Sequence, residues 1–186
     1  LGGRLLHAAG DGAAARLVNT MQEDDFEIPA LVAQLADLLI AQRRLLATAE
    51  SCTGGLIAGA CTELAGSSAW FERGFVTYSN EAKAESLGVD AALIAAHGAV
   101  SEPVARAMAE GAIAHSRAGV AVAVTGVAGP TGGSAEKPVG TVWFGWSVDG
   151  VTRTERRRFD GDRRTVRLAT VQYALQALIA LLTPRR

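Results

Sequence analysis

The seven-residue run GVAVAVT at 119–125 is the feature that most constrains how this chain can fold. Small and β-branched apolar residues in an unbroken run are typical of a strand that is buried on both faces of a parallel sheet. A loop rich in glycine and proline follows at 126–138. Because ligands in open α/β sheets bind beyond the carboxyl ends of the strands, we expect a ligand-binding loop here. A flexible connector is the alternative interpretation of the loop.

The remaining predicted elements alternate between helix and strand and then end in a hairpin and a long helix. Strands are predicted at 45–49, 74–79, 119–125, 139–148 and 151–159. Helices are predicted at 29–42, 53–64, 81–87, 91–97, after Ser101, and at 162–182. The Asp149-Gly150 pair between the last two strands is a strong signal for a two-residue hairpin. We expect one three-layer α/β/α domain with a mixed sheet, parallel in its early strands and antiparallel in the hairpin.

Composition excludes several classes of function. A length of 186 residues suits one domain with a substantial core, and a net charge of −1 gives no bulk attraction to nucleic acid or membrane. No uninterrupted apolar run approaches the roughly twenty residues of a membrane span. The two cysteines, Cys52 and Cys61, form no CxxC pair, which argues against a disulfide framework or a zinc site and favours a reducing cytoplasm.

The first twenty residues differ from the rest of the chain. They are rich in alanine, glycine and arginine, and they lack the order of a signal peptide. Met21 then opens the segment MQEDDFEIP, which resembles a natural start. We expect residues 1–20 to be a disordered or partly helical extension and residues 21–186 to form the domain.

The segment AESCTGG at 49–55 is the first candidate for chemistry. A predicted strand delivers Ser51 to a turn at a helix start, where free N–H groups can stabilise a developing oxyanion. The alternative is that Ser51 or Thr53 only caps the helix. Cys52 is an alternative nucleophile, although a buried thiol more often has a packing role. Glu50 is expected either to orient the site from beneath or to end the strand in water.

A serine nucleophile needs a base, and the sequence favours a lysine over a histidine. Three histidines are present, none with an obvious acidic partner: His7, His97 and His115. Lys83 in the segment YSNEAK is the alternative base if burial or a nearby charge lowers its pKa. Tyr78, at the end of the preceding strand, is a candidate for relaying the proton. A solvated lysine on a helix surface is the competing interpretation of Lys83.

The C-terminal third carries a basic series. It comprises Arg153, Arg156, Arg157, Arg158, Arg163, Arg164 and Arg167. Charge on the last strand suggests an exposed sheet edge that is protected from aggregation. Arg163 or Arg167, near the start of the last helix, is a candidate for binding a phosphate or carboxylate. Balanced overall charge and the lack of interleaved aromatic residues argue against a nucleic-acid surface.

Six short motifs, taken together and in order, resemble the CinA C-terminal domain family over residues 28–182. They are AESCTGG at 49–55, YSNEAK at 78–83, GAVSEPVA at 98–105, TGVAGPTGG at 125–133, KPVGTV at 137–142 and FDGDRRTVR at 159–167. The stand-alone members of that family hydrolyse nicotinamide mononucleotide to nicotinate mononucleotide and ammonia. Larger members carry an additional nucleotide-processing domain, which this chain lacks.

The resemblance implies roles for individual residues. It implies Ser51 as nucleophile, Tyr78 and Lys83 as activating residues, and Arg163 in a catalytic or substrate-binding role, with Arg164 and Arg167 competing for it. The N–H groups near 52–55 are expected to stabilise the oxyanion. Expected substrate-binding residues are Glu50, Thr53, Gly54, Gly55, Asn80, Thr125, Gly126, Ala128, Gly129, Pro130, Gly132, Gly133 and Lys137.

The resemblance also implies partners and alternatives. We expect a nucleotide substrate, no metal or cofactor, a homo-oligomer, and neither membrane nor nucleic acid as a partner. The main alternative is a non-catalytic nucleotide-binding module of the competence/damage-inducible type. A DNA-processing accessory protein is the weakest alternative, because the net charge is close to zero.

Overall fold

The computed structural model describes residues 27–184, so the extension expected at 1–20 lies outside the described residues. The elements, in chain order, begin with helix α1 at 27–41. They continue with β1 (Leu46–Glu50), α2 (Leu56–Glu63), a short 3₁₀ helix (Ser67–Ala69), β2 (Phe71–Val76), α3 (Asn80–Leu87), α4 (Ala91–His97), α5 (Glu102–Ala114), β3 (Val120–Gly126), β4 (Thr141–Val148), β5 (Val151–Arg158) and α6 (Arg163–Leu182).

The five strands form one open mixed sheet in the order β2-β1-β3-β4-β5. Strand β1 pairs in parallel with both β2 and β3, and β4 pairs antiparallel with both β3 and β5. The predicted α/β class, with parallel early strands and an antiparallel hairpin, is therefore confirmed.

Side chains of the central strand alternate between two separate cores, one on each face of the sheet. Val120, Val122 and Val124 of β3 pack into a core with α1, α2 and α6. Ala121 and Ala123 point to the opposite face, against α3, α4 and α5. Successive strand residues face opposite sides of the sheet. The Val-Ala repeat therefore places larger valine side chains on one face and small alanine side chains on the other, where helices can approach the sheet closely.

Helix α6 is the one helix in the described part of the chain that is long and apolar enough to cross a membrane, judged by length and composition alone. Packing within the protein accounts for its apolar stripe, because Val171, Leu175 and Leu178 are buried in the core shared with α1 and α2. The stripe predicted from the sequence is thus the core-facing side of a packed helix.

The predicted strand at 74–79 is wrong in its bounds, since β2 runs from Phe71 to Val76. The observed strand includes the charged pair Glu72-Arg73, and it lies at the sheet edge, where β1 is its partner among the described strands. Charged residues are compatible with an edge strand. The chain leaves the sheet at Thr77, and Ser79 caps α3 by accepting a hydrogen bond from the Ala82 N–H (3.0 Å).

The predicted hairpin is confirmed. Val148 pairs with Val151 across Asp149 and Gly150, which both have positive φ angles of 54° and 75°. Positive φ at both central residues is the requirement of a type I′ turn. Asp149 also forms an ion pair with Arg44 (2.6 Å), on the segment between α1 and β1.

We predict opposite effects on stability for two Gly→Ala substitutions. A Cβ atom at Gly145 would lie 2.5 Å from the Ala105 carbonyl oxygen of α5, whereas a Cβ at Gly59 in α2 meets nothing within 4 Å. Gly145→Ala should therefore lower the free energy of unfolding by about 2 kcal/mol or more. Gly59→Ala should raise it by about 0.5–1 kcal/mol because alanine favours the helix. Urea unfolding measures both, and equal effects would contradict the close packing of α5 on the sheet.

Candidate active site

The predicted site residues converge where the three parallel strands end. Strand β1 ends at Glu50, β2 at Val76 and β3 at Gly126, and the parallel pairing places all three ends at the same edge of the sheet. A cavity of about 220 Å³ lies at this edge. It is lined by Ser51, Cys52, Tyr78, Lys83, Ala99, Val100, Thr125, Gly126, Ala128 and Arg163.

Ser51 sits on a tight turn between β1 and α2. Its N–H donates to the Val124 carbonyl (3.0 Å), and its own carbonyl accepts from the Gly54 N–H (3.0 Å). Gly54 and Gly55 then take positive φ angles of 60° and 98°. L-residues with side chains rarely adopt this region, so the two glycines let the chain reverse sharply and enter the helix. Ser51 is 8% exposed and lines the cavity.

Lys83 of α3 reaches the serine from the neighbouring strand end. Its Nζ lies 3.1 Å from Ser51 Oγ, and it also donates to the carbonyl oxygens of Thr77 (3.0 Å) and Tyr78 (3.3 Å). The side chain is only 1% exposed, and burial lowers the pKa of the Lys83 ammonium. A neutral amine has two N–H donors and one lone pair. The Ser79 carbonyl also lies 3.5 Å from Lys83 Nζ. When the amine is neutral and its two hydrogen atoms are bonded to backbone carbonyls, its lone pair can accept the proton of the Ser51 hydroxyl.

Glu50 does not line the cavity but lies beneath the serine turn, fully buried. One carboxylate oxygen accepts from the Thr53 hydroxyl (2.6 Å) and from the N–H groups of Gly55 (3.1 Å) and Ile57 (3.0 Å). The other accepts from the Ala58 N–H (2.8 Å). These are donors of the first turn of α2, where a helix favours an anion. The protein's own carboxylate therefore fills the anion-binding end of this helix.

Cys52 is a poor nucleophile in this setting. Burial raises the pKa of its thiol to about 12, with Glu50 adding a smaller effect in the same direction. The thiolate is the reactive form of a cysteine, so the thiol stays protonated and unreactive at neutral pH. Of the two candidate nucleophiles in the turn, the geometry and the pKa both favour Ser51.

Of the N–H groups at 52–55 that were expected to stabilise an oxyanion, the Cys52 N–H is the one candidate that remains. The Gly54 N–H is bonded to Ser51 and the Gly55 N–H to Glu50, while Thr53 is completely buried. Cys52 lines the cavity, and its N–H donates to no oxygen atom of residues 27–184. In a nucleophile elbow, the N–H of the residue after the nucleophile is the oxyanion donor.

Arg163 is the arginine that lines the cavity, and it reaches there from the first residue of α6. Its guanidinium donates to the Gly129 carbonyl (2.8 Å) and to the Tyr78 hydroxyl (3.1 Å). The Tyr78 side chain is 61% exposed, and its hydroxyl bonds to Arg163 and not to Ser51 or Lys83. Arg167 lies behind the serine turn, where it donates to the carbonyls of Cys52 and Thr53.

The glycine-rich loop contributes its beginning to the cavity. Thr125, Gly126 and Ala128 line it, whereas Pro130, Gly132 and Gly133 are exposed and lie outside the lining. The remaining expected residues are not in the lining either. Asn80 is exposed at the start of α3, and Lys137 Nζ donates to the His97 carbonyl (2.9 Å) at the end of α4.

Ala99 and Val100 line the cavity but were not among the expected site residues. The Ala99 carbonyl accepts a hydrogen bond from the Thr125 hydroxyl (2.9 Å), which ties this segment to the end of β3. Both residues belong to the motif GAVSEPVA, which carried the resemblance but no chemistry of its own. That motif was the available signal for their position.

Comparison with known proteins identifies the family. Residues 29–182 match the CinA C-terminal domain, and the chain belongs to this family. The chain is 55% identical over 157 residues to a protein of Escherichia coli strain K12 named nicotinamide-nucleotide amidohydrolase PncC, covering 83% of this chain and 94% of the relative. A Pseudomonas putida protein of the same name is 53% identical over 154 residues, covering 83% and 96%.

A solved structure supports the same assignment. The competence/damage inducible protein CihA of Agrobacterium tumefaciens superposes with a TM-score of 0.82 at 50% sequence identity. The match covers 84% of this chain and 96% of that chain. The resemblance read from the six sequence motifs is therefore confirmed at the level of the family and the fold.

We predict that Glu50→Gln destabilises the protein strongly. The substitution replaces a fully buried carboxylate whose oxygens accept hydrogen bonds from three N–H groups and one hydroxyl. It should lower the free energy of unfolding by about 3 kcal/mol, measured by urea unfolding. Glu63→Gln, at the exposed end of the same helix, is the matched control and should change it by less than about 0.5 kcal/mol. Equal effects would show that the Glu50 contacts contribute little.

Proposed function

We propose that this protein hydrolyses the carboxamide of nicotinamide mononucleotide, giving nicotinate mononucleotide and ammonia through an acyl-enzyme on Ser51. The observation that carries the proposal is the 3.1 Å contact between Lys83 Nζ and Ser51 Oγ at the cavity wall. The names of the relatives from Escherichia coli and Pseudomonas putida support the substrate class. The geometry of Ser51 and Lys83 supports the acyl-transfer chemistry.

In the acylation step, neutral Lys83 takes the proton from Ser51 Oγ as that oxygen attacks the carboxamide carbon. The π electrons of the carbonyl move to its oxygen, and the Cys52 N–H stabilises the resulting negative charge. When the tetrahedral intermediate collapses, the C–N bond breaks and the Lys83 ammonium returns its proton to the leaving nitrogen. Ammonia departs, and an ester joins the carbonyl carbon of the intact nucleotide, with its ribose phosphate still attached, to Ser51 Oγ.

In the deacylation step, Lys83 accepts a proton from a water molecule that attacks the ester carbon. Collapse of the second intermediate breaks the bond to Ser51 Oγ, which regains the proton from Lys83. The product is a carboxylate, and the enzyme returns to its starting state. The same base serves both halves of the reaction, as microscopic reversibility of proton transfer permits.

Arg163 is proposed to bind the anionic part of the substrate. It lies at the cavity wall, and two of its N–H donors are engaged by Gly129 and Tyr78, which leaves donors of its five-N–H guanidinium for a phosphate. The N-terminus of α2 is not available for this purpose, because Glu50 occupies it. Tyr78, through its bond to Arg163, is proposed to hold this arginine in place.

We predict that Ser51→Ala and Lys83→Met each reduce ammonia release from nicotinamide mononucleotide by at least about a thousandfold while the protein stays folded. Ser68→Ala, at an exposed position of the short 3₁₀ helix, is the matched control and should retain wild-type turnover. Rapid quenching of the wild type should also give, by mass spectrometry, an ester of Ser51 that carries the whole nicotinate mononucleotide acyl group. Full activity in Ser51→Ala would exclude this nucleophile.

We predict a rise of kcat/KM with increasing pH, governed by Lys83. The base must be neutral, and burial lowers the pKa of Lys83 below its ordinary value of 10.5. Activity should therefore fall at low pH as Lys83 gains a proton, and it should level off above this lowered pKa. A pH profile of the wild type measures the acid limb. A profile with no acid limb, or one that falls as the pH rises, would contradict the role of Lys83 as base.

The alternative function is a nucleotide-binding module without catalysis. It keeps the cavity and Arg163 but does not require the contact between Lys83 and Ser51. A wild-type protein that binds nicotinamide mononucleotide and releases no ammonia would favour it. Covalent labelling of Ser51 by the substrate would exclude it.

A further inference from the structure

We propose that Arg167 is a positioning residue, which holds the Ser51 turn so that the Cys52 N–H faces the reacting carbonyl. This inference rests on the proposed amide hydrolysis, and it concerns a residue that does not line the cavity.

The carbonyl groups of the turn depend on Arg167. Its Nε donates to the Cys52 carbonyl (3.1 Å) and its Nη2 to the Thr53 carbonyl (2.9 Å). Helix α2 begins only at Leu56, and the Leu56 N–H bonds to Thr53, so no N–H of the described residues other than that of Arg167 reaches the Cys52 carbonyl. One guanidinium from α6 thus holds the Cys52–Thr53 and Thr53–Gly54 peptide groups, which directly follow the Ser51–Cys52 peptide group that carries the Cys52 N–H.

The N–H groups of the turn and helix start are fixed from below by Glu50, as described above. Glu50 and Arg167 therefore hold opposite ends of the same short segment. The Gly54 N–H is bonded to Ser51, whereas the N–H of Cys52, a residue that lines the cavity, donates to no oxygen atom of residues 27–184. We infer that this N–H is the oxyanion donor. Removing Arg167 releases the Cys52–Thr53 peptide group, whose orientation also sets the backbone at Cys52.

The charge of Arg167 also favours negative charge beside Ser51. Burial raises the pKa of the Cys52 thiol, and its own backbone N–H and, to a smaller extent, the positive charge of Arg167 oppose that rise. The field of Arg167 therefore reaches the residue next to the nucleophile. A field that stabilises a thiolate there also stabilises an oxyanion formed on the adjacent N–H.

Lysine cannot replace this arrangement. The planar guanidinium presents donors in a fixed fork that meets two carbonyls at once, whereas an ammonium is a point charge on a flexible stem. Packing around the turn is also close, because a Cβ at Gly54 would lie 3.4 Å from Arg167 Nη2. The positioning role is therefore specific to arginine.

The test compares Arg167→Lys and Arg167→Met with the wild type on nicotinamide mononucleotide and on its thioamide analogue. Sulfur is a weak hydrogen-bond acceptor, so turnover of the thioamide depends less on an oxyanion donor. We expect kcat for the amide to fall about ten- to a hundredfold in both variants, with KM changed by less than about threefold. The kcat for the thioamide should fall distinctly less, so the ratio of kcat for the amide to kcat for the thioamide should be lower in the variants than in the wild type. Arg156→Met, an exposed arginine on β5, is the matched control.

A second measurement keeps the outcome independent of the substrate. A fluorophosphonate probe labels an activated serine and places an oxygen beside the same N–H group, and both Arg167 variants should label Ser51 about ten times more slowly than the wild type. Wild-type labelling rates in both variants, or equal losses for amide and thioamide, would overturn the positioning role. A wild type that labels rapidly but releases no ammonia would instead refute the proposed substrate, with the labelling rates still deciding the role of Arg167.

Discussion

The buried carboxylate of Glu50 is the interaction on which the geometry of the site depends. Burying a charge costs several kcal/mol, and here the first turn of α2 offsets the cost with three N–H donors and the Thr53 hydroxyl. The contacts hold the end of β1 against the start of α2, so the turn between them has little freedom. Ser51 is the residue of that turn that faces the cavity. A short, fixed turn therefore places the Ser51 hydroxyl, the proposed nucleophile, at the cavity wall.

Three basic residues, Lys83, Arg163 and Arg167, surround this turn at different degrees of burial, and burial decides what each can do. Lys83 is fully buried, so its pKa falls and the neutral amine becomes accessible. Arginine at that place would keep its proton and could not act as a base. Arg167 is half-buried and bonds to backbone carbonyls, and Arg163 is exposed at the cavity wall. The three residues thus differ in solvent exposure and in proposed role: Lys83 acts as the base, Arg167 supports the backbone and Arg163 binds the anion.

The parts of the fold that the sequence predicted are those with a strong local pattern. The run of β3, the Asp149-Gly150 hairpin and the stripe of α6 each follow from periodicity or turn chemistry. The bounds of β2 did not, because an edge strand tolerates charge and carries a weaker pattern. In the site, Glu50 contacts mainly backbone N–H groups. Almost any residue type can supply a backbone N–H, so the sequence could not reveal these contacts. The positions of Ala99 and Val100 depend on tertiary packing of apolar residues, for which the sequence offers no chemical signal.

The topology of the sheet explains why these residues meet where they do. From β1 the chain passes through α2 on one face to the edge strand β2, and from β2 it returns through α3, α4 and α5 on the other face to β3. The strand order therefore reverses between β1 and β3, and this is the place where doubly wound sheets open a cleft. Ser51 follows β1, Thr125 and Gly126 end β3, and Lys83 enters from the segment after β2. The proposed nucleophile, its proposed base and the start of the glycine-rich loop therefore come from three strand ends that parallel pairing places side by side. A change of sheet order would separate them even if every residue were kept.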